Sequence, residues 1–182
     1  MVAGTVGIVR SSVWIANMSK ERSILFVCTA NQCRSPMAEA IMKNYIKRMD
    51  LPTNWVVQSA GTWAENGHPA TPSGVKAMAQ RGLDTSLHRS QTITKDLLSQ
   101  FDLILTMESG HKEAIQIEFP EFSKKVFMLS EMSGTAINIE DPIGGTFEDY
   151  LNTANEIDEW ILKGFPGIIK IIEAAEHEQS AN

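Results

Sequence analysis

The sequence predicts an α/β fold, a four-stranded parallel sheet with helices on both faces in three layers. Three observations predict it. From residue 23 onward, short apolar runs alternate with amphipathic stretches. The run Phe101-Asp102-Leu103-Ile104-Leu105-Thr106-Met107 is almost continuously apolar, as befits a parallel strand covered on both sides. Each strand candidate is followed by helix, not by a tight turn, which implies right-handed βαβ crossovers.

In chain order, Ser23-Ile24-Leu25-Phe26-Val27 is the first buried strand. Residues Pro36 to Met49 read as an amphipathic helix with Met37, Ile41, Tyr45 and Met49 four apart, Ser35 as N-cap and Pro36 as first helical residue. After the turn Leu51-Pro52-Thr53-Asn54, Trp55 to Gln58 is the second strand, leaving through Ser59-Ala60-Gly61-Thr62 into a loop over 63–70. Thr71-Pro72 opens a helix that runs to Arg81 and stops at Gly82. A short helix over Thr94 to Gln100 precedes the third strand, 101–107. Glu108 to Phe119 is helical and closed by Pro120, and Lys125 to Leu129 is the fourth strand. Thr146, with Asp149 three residues on, forms a capping box for the last helix. Gly164-Phe165-Pro166-Gly167 is expected to break or kink that helix before Ile168 to Ala175 continue it.

The chain has 182 residues, 43% of them hydrophobic, enough for one core and one domain. Its formal charge of −6, from 16 basic and 22 acidic residues, argues against broad binding to nucleic acid or acidic membrane, so any anion recognition must be local. There are two cysteines, five residues apart, and no Cys/His spacing suited to a metal. That usage fits a reducing, cytoplasmic location and a functional thiol. No apolar run approaches the ~20 residues of a membrane span.

Cys28-Thr29-Ala30-Asn31-Gln32-Cys33-Arg34-Ser35-Pro36 joins the first strand to the first helix. This is where α/β folds bind ligands. Arg34 stands at the positive end of its helix, and no acidic residue follows until Glu39, although helix dipoles favour the reverse. An anion held between backbone N–H groups and Arg34 removes the conflict, and phosphate is the natural candidate. Cys28 beneath it would lie in a field that favours thiolate. The alternative is a buried structural cysteine at a strand end.

Cys-x5-Arg-Ser-Pro after a hydrophobic strand resembles the phosphate-binding loop of the low-molecular-weight protein tyrosine phosphatases. The resemblance extends to the exit of the second strand at Ser59, to Gly82-Leu83-Asp84-Thr85-Ser86-Leu87-His88-Arg89-Ser90, and to Asp141-Pro142-Ile143-Gly144-Gly145. It implies strand order 2-1-3-4, a phosphatase domain over 23–176, and no cofactor or metal. It also implies phosphomonoester hydrolysis on a phosphorylated protein or peptide, with phosphate as product.

Such chemistry needs a nucleophile, stabilisation of the equatorial oxygens and a proton for the leaving oxygen. Cys28 is the candidate nucleophile. Arg34 and the backbone of Thr29, Ala30, Asn31, Gln32 and Cys33 are the phosphate-binding groups. Asp141 stands where the family carries its general acid; alone, Asp-Pro is a turn signal. The resemblance has His88 hydrogen-bonding Ser35, whereas on sequence alone His88 could be an unpartnered surface residue. His68, His111 and His177 offer no comparable case. Ser59 either supports Asn31, should that residue adopt the left-handed conformation, or is an ordinary turn residue. Cys33 is either a resolving thiol that traps oxidised Cys28 or a small packing residue. Trp63 and Ile143 are candidate substrate-lining residues, although a half-buried anchor is the commoner state of a loop tryptophan.

Two departures bear on substrate. Gln32 replaces the Ile usual in the tyrosine phosphatases and the Thr of the related protein-arginine phosphatases, and Ile143-Gly144-Gly145 is closer to the arginine-specific pattern. Phosphotyrosine is the first reading and phosphoarginine the alternative. Thioredoxin-coupled arsenate reduction needs cysteines outside the loop, and this chain has none. A phosphate-binding module without turnover would be expected to lack Cys28, Arg34 or Asp141. Residues 1–22 are expected to be a poorly ordered arm with Met18 as the natural start, and 177–182 a polar tail.

Overall fold

The computed structural model describes residues 21–51 and 54–180. The expectations for the N-terminal arm and for Met18 fall outside them. A single parallel sheet carries strands β1 (Arg22–Cys28), β2 (Trp55–Gly61), β3 (Leu103–Thr106) and β4 (Val126–Met128) in the order β2-β1-β3-β4. Around it lie α1 (Arg34–Arg48), α2 (Pro72–Gln80), α3 (Lys95–Ser99), α4 (Ser109–Glu118) and α5 (Phe147–Ser180). Two 3₁₀ turns that the apolar periodicity does not mark, Pro120–Lys125 and Ser130–Ser133, flank β4.

The two-residue period of β1 divides the core. Ile24 and Phe26 face one layer with Met37, Ile41 and Met42 of α1 and Ile157, Ile161, Ile168 and Ile172 of α5. Leu25 and Val27 face the other, with Leu98 of α3 and Ile115 of α4. All four of these β1 side chains are fully buried. At roughly 1.5–3 kcal/mol for each large apolar side chain removed from water, β1 is a main anchor of the fold. Its last residue, Cys28, pairs in register with Gly61 at the end of β2. Both strands therefore deliver their C-terminal ends to one place.

The caps explain several boundaries. Gly74 N–H donates to Thr71 Oγ1 (3.3 Å) at the start of α2. Before α5 the Thr146 hydroxyl donates to Asp149 Oδ2 (2.8 Å), and the Asp149 amide donates back to Thr146 Oγ1 (3.4 Å). At α1 the structure departs from expectation. The helix begins at Arg34 with Cys33 at the cap position and no side-chain cap, so Ser35 and Pro36 lie inside the first turn. The Ser35 hydroxyl is committed to the loop instead.

The last helix is not broken at residues 164–167; it runs through them and on to Ser180, beyond the expected start of a tail at 177. Its glycines serve close packing. A Cβ on Gly167 would lie 2.1 Å from the Met132 carbonyl oxygen, and one on Gly164 2.7 Å from Met132 Cβ. Pro166 deprives the carbonyl of Leu162 of its helical donor, but Leu162 is exposed, so water can take that place. Gly167→Ala is expected to destabilise the protein by roughly 1–3 kcal/mol, because the backbone of the Ser130–Ser133 turn must move. Urea denaturation checks it; an unchanged midpoint would contradict the packing account.

Candidate active site

The loop between β1 and α1 is held from outside by its carbonyls. Thr62 N–H donates to Cys28 O (2.9 Å), Trp63 N–H to Thr29 O (3.0 Å), and Thr71 N–H to Gln32 O (2.8 Å). His88 Nε2 lies 2.7 Å from Asn31 O. Peptide units committed this way leave their N–H edges for the concave side, the geometry of an anion nest. Gly61 sits against the back of the loop, where a Cβ would come within 2.4 Å of Thr29 O and 2.9 Å of Asn31 N. Only glycine allows β2 this close.

Asn31 has φ = 54°, the left-handed conformation. Its side chain explains how it is kept there. Asn31 Nδ2 donates to Ser35 Oγ and to Ser59 Oγ, each at 2.9 Å, and Oδ1 accepts from the Gln91 amide (2.9 Å). Ser59 in turn donates to Glu39 Oε2 at 2.6 Å. Ser59 thus stands at Asn31. His88 does not brace Ser35 as expected; it reaches the Asn31 carbonyl, because Ser35 already faces Asn31, Cys28 and the Ala60 carbonyl. Cys28 Sγ lies 3.0 Å from Ser35 Oγ. The single Ser35 proton can point to Ala60 O (3.2 Å) or to Cys28 Sγ, so the serine can accept from a thiol or donate to a thiolate.

Arg34 is 1% exposed and its partners are specific. Nη1 donates to Ile139 O (2.8 Å) and to Glu108, while Nη2 donates to Asp141 Oδ2 (2.7 Å) and, at 3.4 Å, to Thr29 Oγ1. Among the described residues Nε is buried with no partner. Burial works against the charge, but the Glu108 hydrogen bond and the Asp141 carboxylate outweigh it and raise the guanidinium pKa. The charge conflict at the helix start is thus met partly by the protein itself. Two carboxylates neutralise Arg34, and Nε remains available for a further acceptor.

Asp141 is about one-third exposed, and its other oxygen accepts from the Ile143 amide (3.1 Å), an Asx turn that fixes the loop. Cys33 is buried, and that burial first, with the nearby Asp141 charge adding to it, pushes its thiol up to about 12, so Cys33 is protonated at neutral pH. Trp63 is not an anchor: its side chain is 82% exposed while its amide is tied to the loop, so the backbone alone fixes it. Ile143 is also exposed.

Sequence reasoning missed Glu108, Ile139 O, Gln91, Glu39 and His111. Glu108 follows β3, and β3 neighbours β1 in the sheet, which was the available signal. His111 was set aside although it lies three residues beyond Glu108. It is buried, with Nε2 2.9 Å from Thr29 Oγ1.

The arrangement can bind an oxyanion beside a thiol, with the Asp141 carboxyl held on the same guanidinium. Comparison with known proteins agrees. The family profile described as "Low molecular weight phosphotyrosine protein phosphatase" matches residues 23–170. A protein-arginine-phosphatase of Bacillus subtilis (strain 168) is 39% identical over 137 residues, covering 75% of this chain and 89% of that one. A probable low molecular weight protein-tyrosine-phosphatase, EpsP, of Ralstonia nicotianae is 41% identical over 153 residues, covering 84% and 97%. The solved YwlE arginine phosphatase mutant with a phosphorylated active site serine superposes with a TM-score of 0.76 at 37% identity, covering 81% and 95%.

Asn31→Ala removes three hydrogen bonds and places a Cβ residue without local partners at a left-handed position. It should weaken binding of inorganic phosphate about 30-fold or more, whereas Asn31→Gly, which has no conformational cost, should lose roughly tenfold less. Isothermal titration with phosphate compares them; equal losses would show that the conformation of Asn31 contributes nothing.

Proposed function

Because the chain belongs to the low molecular weight phosphotyrosine protein phosphatase family, and is therefore a cysteine-dependent hydrolase of protein phosphomonoesters, we propose that Cys28, Arg34 and Asp141 carry its reaction and that phosphotyrosine is its substrate. The observation that carries the assignment is Arg34. Its buried Nε has no protein partner among the described residues, and its Nη2 is shared with Asp141, beside a loop that begins at Cys28.

The phosphoryl group sits in the loop formed by Thr29, Ala30, Asn31, Gln32, Cys33 and Arg34. The Cys28 thiolate attacks phosphorus in line, and Ser35 donates to the sulfur while it is charged. The phosphorus–oxygen bond to tyrosine breaks as Asp141, carrying a proton, passes it to the leaving oxygen. The product of this half is a cysteinyl-phosphate. Water then attacks phosphorus, Asp141 takes its proton, and the thiolate leaves with release of phosphate. The side chains of Asn31, Ser59 and His88 hold the loop in shape. The phosphorylated active site serine of the related YwlE mutant supports a covalent intermediate at this position.

Exposed Trp63 and Ile143, one tied to the loop and the other to Asp141, supply apolar walls suited to a phenyl ring. One observation favours phosphoarginine as second reading: Glu108 and Asp141 place two carboxylates at the site, and a guanidinium leaving group would be drawn to them. The Bacillus relative named for that activity agrees. The formal charge of −6 and the two free thiols support a cytoplasmic enzyme acting on protein without nucleic acid or membrane.

A side-by-side assay on phosphotyrosine and phosphoarginine peptides tests the substrate. Turnover of phosphotyrosine is expected, with Cys28→Ser inactive and Asp141→Asn slowed roughly 10²–10⁴-fold. A preference for phosphoarginine would replace the tyrosine half of the proposal. For Cys33 the reading is a resolving thiol: peroxide oxidises Cys28 to the sulfenic acid, and Cys33 displaces water to form the disulfide. After peroxide and then reductant, the wild type should recover activity and Cys33→Ser should not; equal recovery removes the role.

A further inference from the structure

We propose that His111 is a positioning residue for the oxyanion grip, acting on Arg34 through the hydroxyl of Thr29. The proposal rests on the reading of Arg34 as the group that holds the phosphoryl oxygens. His111 is the third residue of α4 and is 7% exposed; its Nε2 lies 2.9 Å from Thr29 Oγ1, which lies 3.4 Å from Arg34 Nη2. Thr29 is the residue after the nucleophile. The three groups form one chain that ends on the guanidinium.

Donor counting fixes the Arg34 end of the chain. Arg34 can only donate, so it takes a lone pair of the Thr29 oxygen. The Thr29 proton can then go to His111 Nε2, the ring nitrogen within reach, or the second lone pair of the hydroxyl can accept from Nε2–H; in either sense the ring fixes the hydroxyl. When Nε2 accepts, the imidazole proton is on Nδ1, which is buried without a partner among the described residues. The charged groups facing the ring are Arg34 from α1, Glu108 from the turn before α4, and Asp141 from the loop before α5. Burial above all holds His111 below its usual pKa, with Arg34 acting the same way and the two carboxylates opposing them. A neutral ring is the form that can accept from Thr29.

The chain matters because Nη2 has two protons and two partners, Thr29 and Asp141. When Asp141 turns to the leaving group, a phosphoryl oxygen replaces it on Nη2. Thr29 is then the remaining protein partner of that nitrogen. His111, by fixing the Thr29 hydroxyl, fixes the plane in which Arg34 meets the oxyanion.

The test is competitive inhibition by inorganic phosphate during hydrolysis of an aryl phosphate, using the full chain. His111→Leu should raise the inhibition constant about three- to tenfold, the range for one hydrogen bond, and Thr29→Val should do the same. The double variant should be no worse than Thr29→Val alone. His111→Gln, whose terminal amide can reach Thr29, should restore most of the affinity. The proposal is overturned if His111→Leu leaves the constant unchanged, costs its full factor in the Thr29→Val background, or is not rescued by glutamine. Should His111→Leu fail to fold, an unchanged constant in Thr29→Val overturns it equally. Arg34→Lys is the separate control: if phosphate inhibition does not depend on Arg34, the reading of the anion site fails first.

Discussion

The buried guanidinium of Arg34 is the constraint around which the site is arranged. An isolated charge at this depth would be prohibitive, so the protein must bring compensating groups to it. They come from three places far apart in sequence: Thr29 in the loop, Glu108 after β3, and Ile139 with Asp141 before α5. Parallel strand order makes this possible, since β1 and β3 are neighbours and both end at the same edge of the sheet. Glu108 shares Nη1 with the Ile139 carbonyl and Asp141 shares Nη2 with the Thr29 hydroxyl, and both carboxylates are about one-third exposed.

The second organising demand is loop shape. Five residues must turn from strand to helix while presenting their amides inward, which costs a left-handed residue at Asn31. The compensation is a side-chain network with Ser35, Ser59, Glu39 and the amide of Gln91, so that β2 and the residues after 82 brace a loop they do not belong to. Gly61 is part of the same solution, since a side chain there would push on Thr29 and Asn31 together. The loop's stability is therefore tertiary.

This division explains what the sequence reveals. The sheet and the helices are legible because apolar period and caps are local: Thr71, Thr94 and Thr146 each mark a helix start. The loop is legible because Cys28, Arg34 and the strand-to-helix switch lie within a dozen residues. Contacts fixed by the third dimension are not. Nothing in the sequence around His88 distinguishes a bond to Ser35 from one to Asn31 O, and Glu108 and His111 look like ordinary residues at a helix start. Gly164, Pro166 and Gly167 read as a break because propensity is local, while their close approach to Met132 is a property of the packed turn. Trp63 departs from the common pattern for loop tryptophans because its backbone, rather than its ring, is what the loop holds.

Charge balance links binding to chemistry in this site. Arg34 meets the carboxyl groups of both Glu108 and Asp141, so its guanidinium is already engaged before a phosphoryl dianion arrives. At ~4 Å and an effective dielectric near 20, each unit-charge pair is worth about 4 kcal/mol, so the dianion and an ionised Asp141 compete directly for Nη2. A proton on Asp141 removes that competition and frees Nη2 for the substrate. In the proposed mechanism the same proton is the one the leaving oxygen needs. Binding the dianion and arming the acid are thus, in that mechanism, one requirement on a single carboxyl group, and the contact of Asp141 with Arg34 is the geometry that requirement asks for.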